Sequence, residues 1–283
     1  MQEEAEQRAA IEFHLRRSLT TNQFDIYYQP KVSLSRERIV GFEALMRWSD
    51  PNWAHVGPAE FIPVAEDCGL IVQMGDWMLR RACLQMLEWQ SRYGELAGAS
   101  MAVNISARQL SGPNFAVSVE RLLHETGIPP WAVELELTES TVMEDPDFGI
   151  AVLRDIHALG VRLSIDDFGT GYSSLSYLQR LPIDVLKIDR CFVSDLGETE
   201  SASSIIEAVL GLSSSLGLVN VAEGVGTPEQ IRYFHGSHCD IIQGYYFNKP
   251  LAVSEVDSLL DSREIPFREK FLCLGQAHRT GLH

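Results

Sequence analysis

The feature that most constrains this chain is a regular alternation of short strand-like runs with longer helical patterns. Eight runs read as strands: 24–32 (FDIYYQPKV), 39–48 (IVGFEALMRW), 100–106 (SMAVNIS), 133–138 (VELELT), 161–166 (VRLSID), 184–189 (DVLKID), 218–223 (LVNVAE) and 240–245 (DIIQGY). Between most of them lie helix patterns. The stretch 76–94 repeats apolar residues at three- and four-residue steps, with Trp77, Met86 and Trp89 as its packing residues. The stretch 227–234 opens with Thr227 as an N-cap and Pro228 in the first turn. Strands separated by helices form parallel crossover units, and eight of them in a chain of 283 residues predict a closed (β/α)8 barrel.

Parity within the runs assigns their faces. In 133–138, Val133, Leu135 and Leu137 alternate with Glu134, Glu136 and Thr138; in 161–166, Val161, Leu163 and Ile165 alternate with Arg162, Ser164 and Asp166. The outer face of a barrel lies under its helices and must be apolar, so the polar alternates point into the interior. The same count turns Glu43, Asn104, Lys187 and Asp189 inward.

These polar residues stand late in their strands, at the end where barrels of this kind assemble active sites. Glu43, Glu136, Asp166, Asp167 and Glu223, with Asn104 as a neutral oxygen donor, would crowd one mouth. That many carboxylates need cations between them. An oxygen-only ligand set selects hard ions, Mg²⁺ or Mn²⁺, over zinc, and two such ions suit phosphodiester hydrolysis.

Composition narrows the partners. A net charge of −16 leaves no broad positive field for DNA, RNA or a membrane surface. The five cysteines include no C-x-x-C pair and fit a reducing cytoplasm. His235, His238 and Cys239 sit close in sequence, but their spacing matches no common zinc pattern. No apolar run is long enough to span a bilayer, although a cytoplasmic domain of a membrane-anchored parent has the same signature. Residues 1–19 are charged and helix-prone and read as a linker from an upstream domain. Residues 20–262 form the barrel, and 263–283 a C-terminal tail.

Taken in order, 28-YQP, 43-EALMRW, 103-VNIS-106 followed by Gln109 and Leu110, 135-LELTES-140, 165-IDDFGTGYSSL-175, 186-LKID-189, 222-AEGV-225 and 243-QGYYF-247 resemble the EAL-domain family of cyclic di-GMP phosphodiesterases. The resemblance runs from about Phe13 to about Leu260. It implies a modified TIM barrel whose first strand is antiparallel to the rest, and hydrolysis of cyclic di-GMP to linear pGpG by two Mg²⁺ or Mn²⁺ ions, Ca²⁺ being non-productive.

Carried over to this sequence, Glu43, Asn104, Glu136 and Asp166 match ligands of one ion, and Asp167 matches a ligand of the second. Lys187 and Glu223 flank the attacking water, with Glu223 as general base. Gln29 and Arg47 match substrate contacts, and Gln243 helps to hold the centre. Glu139 matches the anchor of the loop Phe168–Leu175, which lies beside the family's dimer surface. By strand parity Glu139 would face away from the metals. The resemblance also implies a homodimer and an upstream regulatory or cyclase-like domain.

Departures include Gly226, where AEGVGT replaces the family's usual AEGVET, Asn220 in the preceding strand, and 248-NKP-250. Gly226 has the freedom to loosen the loop that presents Glu223, which bears on the catalytic rate more than on the reaction. Two other classes stay open at this point: a catalytically weak cyclic di-GMP receptor, which would have lost ligands or base, and an unrelated acid-lined barrel enzyme acting on sugars or carbon–carbon bonds.

Overall fold

The computed structural model describes residues 2–143, 145–169, 175–197 and 200–262. The tail 263–283 and residues 170–174 of the GTGYSS loop lie outside the described residues.

Eight strands close a barrel in the order β1 to β8. They are β1 (Phe24–Ser33), β2 (Arg38–Trp48), β3 (Ser100–Asn104), β4 (Val133–Thr138), β5 (Arg162–Phe168), β6 (Val185–Ile188), β7 (Val219–Ala222) and β8 (Ile241–Ile242). β1 is antiparallel to both of its neighbours, β2 and β8, and every other pairing is parallel. The connection from β1 to β2 is a hairpin, which forces that reversal. All later connections are long enough to cross over and return in the same direction.

Among the described residues twelve α-helices flank the strands: α1 (Gln2–Thr20), α2 (Pro58–Cys68), α3 (Leu70–Arg92), α4 (Ala107–Leu110), α5 (Phe115–Thr126), α6 (Glu139–Met143), α7 (Pro146–Ala158), α8 (Leu175–Leu178), α9 (Arg190–Ser194), α10 (Glu200–Leu216), α11 (Pro228–Gly236) and α12 (Val253–Asp261). The predicted N-cap at Thr227 is present, its hydroxyl accepting from the Gln230 N–H. Met86 and Trp89 of α3 are fully buried against the barrel, and Trp77 packs at its edge.

The apolar alternates Val133, Leu135, Leu137, Leu163 and Ile165 are each buried to about 1% exposure or less, between strand and helix layers. Their polar partners Glu134, Glu136 and Ser164 are equally buried, inside the barrel. Inward acids are thus part of the interior packing, and each demands a partner.

Helix α1 does not stand apart from the barrel. Ile11, Leu15 and Ser18, spaced as one stripe, are buried, and α1 packs on α2 and α3. Ser18 Oγ accepts the Trp48 indole N–H at 2.8 Å, and His14 packs on Trp53 with ring centroids 4.7 Å apart and planes tilted by 35°.

Candidate active site

The parallel strands β2 to β7 deliver their last inward residues to one mouth. Register places Gln29 opposite Glu43, Asn104 beside Glu136, and Thr138 beside Asp166. Lys187, from β6, is fully buried at the centre. Its ammonium lies 2.7 Å from Glu136 Oε2, 2.9 Å from Asp166 Oδ2 and 2.6 Å from Glu223 Oε1. Asn104 donates from Nδ2 to Glu43 Oε1 at 2.8 Å. Gln243 donates to the other Glu43 oxygen and, at 3.1 Å, to Gln29 Oε1. Gln29 in turn donates to the Asn248 carbonyl at 3.2 Å.

A regular strand cannot aim Asp166 and Asp167 alike, because neighbours point to opposite faces. Here the β5–β6 register shifts between Ile165 and Phe168, and Asp167 adopts a left-handed φ of 54°. The bulge brings the two carboxyls to the same end of the strand, and Asp166 Oδ1 accepts the Asp167 N–H at 2.9 Å. A non-glycine residue in that conformation costs on the order of 1 kcal/mol or more, a strain typical of functional positions. Asp167 also bonds to Asp189, which caps α9 by accepting the Cys191 N–H at 2.8 Å.

Burial and like charge set the protonation pattern. Glu223 is pushed up to about 8, first by burial and then by the charges of Asp166, Glu43 and Glu136, against the pull of Lys187. Burial and the neighbouring Asp166 raise Asp167 to about 6. Burial also raises Glu43. Glu136 behaves oppositely: burial opposes its charge, but Lys187 and Lys31 outweigh that and hold it at about 2. Burial opposes the charge on Lys187 as well, yet the carboxylates around it raise its pKa well above the ordinary lysine value. Lys187 is shared among Glu136, Asp166 and Glu223, and Lys31 reaches only Glu136, so negative charge remains in excess around Glu223.

The donor set therefore fits a hard divalent cation. It consists of carboxylate and amide oxygens in negative surplus, and Gln243 Oε1 is buried beside Glu43 without a hydrogen-bond partner. The acids are drawn around Lys187, and among the described residues no three acidic, histidine or cysteine side chains close on a single point.

The loop after β7 is braced on both sides of Glu223. Its N–H donates to the Ile188 carbonyl at 3.1 Å, and Val225 N–H to the Gln243 carbonyl at 3.1 Å. Gly224 takes φ 69°, and Gly244 lies so near Val225 that a Cβ would meet its backbone nitrogen at 2.3 Å. The Gly226 N–H is held by Gln230 Oε1 at 2.8 Å.

Arg47 sits at the rim, half-buried, with its guanidinium over the Tyr27 ring at 5.4 Å and donating to the Met46 carbonyl at 2.8 Å. Glu139 is not reached by strand parity at all. β4 ends at Thr138 and Glu139 opens α6, where it lines a small apolar pocket with Val142, Ile165, Phe168 and Leu178 at the base of the loop.

One interior residue was not singled out from sequence. Lys31 of β1 is fully buried, with its ammonium 2.6 Å from Glu134 Oε1 and 3.1 Å from Glu136 Oε1. The signal was present, since Lys31 shares the parity of Gln29.

The sequence profile of the EAL domain matches residues 13–250. The cyclic di-GMP phosphodiesterase NbdA of Pseudomonas aeruginosa is 38% identical over 276 residues, covering 96% of this chain and 35% of that protein. The bifunctional diguanylate cyclase/cyclic di-GMP phosphodiesterase MucR of the same organism is 40% identical over 256 residues, covering 90% of this chain and 37% of that protein. The PaMucR phosphodiesterase, solved as a c-di-GMP complex, superposes with a TM-score of 0.83 at 40% identity over 87% of this chain and 99% of that one. The chain spans about a third of the length of such curated relatives. With a profile match over most of its length and relatives of this likeness covering nine-tenths of it or more, the chain belongs to the EAL-domain family.

Proposed function

We propose that this domain hydrolyses cyclic di-GMP to linear pGpG with two Mg²⁺ or Mn²⁺ ions. The observation that carries the reading is the cluster of Glu136, Asp166 and Glu223 around the buried Lys187, in which Glu223 is the carboxylate of raised proton affinity. Glu43, Asn104, Glu136 and Asp166 would hold one ion and Asp167 the second. Bound there, such ions neutralise the phosphate and acidify water.

The chain's own residues do the rest. Glu223, left ionised when cations at the neighbouring carboxylates offset the repulsion that raises its pKa, would accept the proton of the attacking water. Lys187 balances the carboxylates and orients Glu223 through their 2.6 Å contact. Gln243 fixes Glu43, while Gln29 and the rim guanidinium of Arg47 meet the substrate. Glu139, at the base of the loop that follows Phe168, anchors that loop and with it Asp167. A cytoplasmic setting, a homodimer and a regulatory partner domain complete the proposal. Among the described residues no helix is long and apolar enough to cross a membrane.

Incubation of the purified protein with cyclic di-GMP and Mg²⁺ or Mn²⁺, with chromatography of the products, tests it. Formation of pGpG, its loss in Asp166→Ala, and no turnover in Ca²⁺ are expected. Binding without any pGpG would leave a receptor in place of an enzyme.

A further inference from the structure

Lys31 and its partner Glu134 are charged groups of the barrel interior that the proposed chemistry does not use. Because β1 runs against the other strands, the step from Gln29 to Lys31 goes away from the mouth, from the level of Glu43 to that of Gly41. There Lys31, 1% exposed, meets two glutamates of β4. Glu134 accepts at 2.6 Å through Oε1 and has a second cation, Arg162, 3.5 Å from Oε2. Glu136 accepts from Lys31 at 3.1 Å through Oε1, while its Oε2 accepts from Lys187 at 2.7 Å.

The two oxygens of Glu136 are thus divided between two ammonium groups, one beneath and one at the mouth. Glu134 has Arg162 as well, so Lys31 is not its only counter-charge. Buried ion pairs are weak sources of stability, because desolvation of both partners offsets their attraction. What such a pair does supply is direction. The terminal torsion of a glutamate is broad and roughly two-fold, and a fixed donor on one oxygen selects its setting.

We propose that Lys31 is a positioning residue for Glu136: by holding Oε1 from below it keeps Oε2 turned toward the mouth, where a divalent ion would be bound. This rests on the phosphodiesterase reading above, since it concerns a ligand of that proposed metal centre. Lys31 has its hydrogen bonds to Glu134 and Glu136, one inward position below Gln29 on β1, and makes none to the substrate contacts Gln29 and Arg47. Its loss therefore acts on metal affinity and leaves KM for the dinucleotide alone.

The experiment is calorimetric titration with Mn²⁺ alone of the wild type, Glu134→Gln, Lys31→Met and the double variant Lys31→Met/Glu134→Gln. The double variant removes one charge of each sign, so the interior stays balanced. Glu134→Gln keeps the Lys31–Glu136 contact and should bind Mn²⁺ within about 3-fold of wild type. The double variant should keep its melting temperature yet bind at least about 10-fold more weakly, the usual scale for losing a group that orients a metal ligand. Its kcat should fall at limiting Mn²⁺ and recover as Mn²⁺ is raised, with KM unchanged.

Equal Mn²⁺ affinity in Glu134→Gln and the double variant overturns the role of Lys31. So does a double variant that cannot fold while Glu134→Gln folds, because Lys31 is then a structural group. A wild type that neither binds Mn²⁺ nor makes pGpG overturns the phosphodiesterase reading itself, and the role of Lys31 with it.

Discussion

Glu223 Oε1 lies 2.6 Å from Lys187 Nζ, and yet burial and three neighbouring acids push the pKa of the metal-free Glu223 carboxyl up to about 8. A carboxyl poised near neutrality is suited to taking a proton during a reaction rather than to carrying a permanent charge. Glu223→Gln keeps its shape and the buried neighbours, and removes only the ability to accept that proton. Cyclic di-GMP affinity should be retained while turnover drops by at least about 100-fold. Calorimetry beside a product assay decides it, and joint loss of affinity and rate would make Glu223 a ligand instead.

The same carboxyl gives the metal-free protein an unusual pH dependence. Glu223 is raised from 4.5 to about 8 and Asp167 from 3.8 to about 6. Each binds its proton more tightly when folded, so its contribution to stability is full below the unfolded value and is lost as pH rises through the folded one. Glu136, held at about 2, works the other way and loses its contribution as pH falls below about 4.5. In EDTA the melting temperature should therefore peak near pH 5 and fall by at least about 4 °C by pH 8. Glu223→Gln should flatten that decline, which separates the site from the general charge of the chain. A wild type more stable at pH 8 than at pH 5 would contradict this.

The barrel was legible in the sequence because its strands are two-faced. VELELT, with Glu134 and Glu136 alternating against leucines, has the same bounds in sequence and structure. What alternation cannot show is where it breaks. Asp166–Asp167 follows the parity rule up to Asp166, and only the bulge and the left-handed Asp167 explain how two adjacent acids serve one mouth. The last run, 240–245, shortens to Ile241–Ile242 because the chain turns where Gly244 meets the Val225 backbone. That close approach joins segments about twenty residues apart and leaves no local trace. Lys31 went unremarked for a similar reason: its glutamate partners are more than a hundred residues away.

The opening segment is the other place where local composition conceals packing. Residues 2–20 are mostly charged or polar, but Leu15 is fully buried and Ile11 nearly so. Leu15→Ala should destabilise the domain by about 2–5 kcal/mol, the usual cost of deleting a buried leucine side chain. Urea denaturation measures it, and a change below about 0.5 kcal/mol would mean that the helix is not docked on the barrel in solution.

Gly226 offers the opposite case, a glycine that the fold does not require. Unlike Gly224, whose φ is 69°, Gly226 lies outside the left-handed region. A Cβ there would come no closer than 3.8 Å to the Gly224 carbonyl and 3.9 Å to Gln230 Oε1, both ordinary contacts. Its N–H, already held by Gln230, is kept in an alanine variant. Alanine restricts the unfolded chain without straining the folded one, so Gly226→Ala should stabilise the domain by about 0.4–1 kcal/mol. The urea midpoint should rise with an unchanged m-value. A lower midpoint would show that the loop after Glu223 needs glycine here, for a motion or a conformation different from the one described.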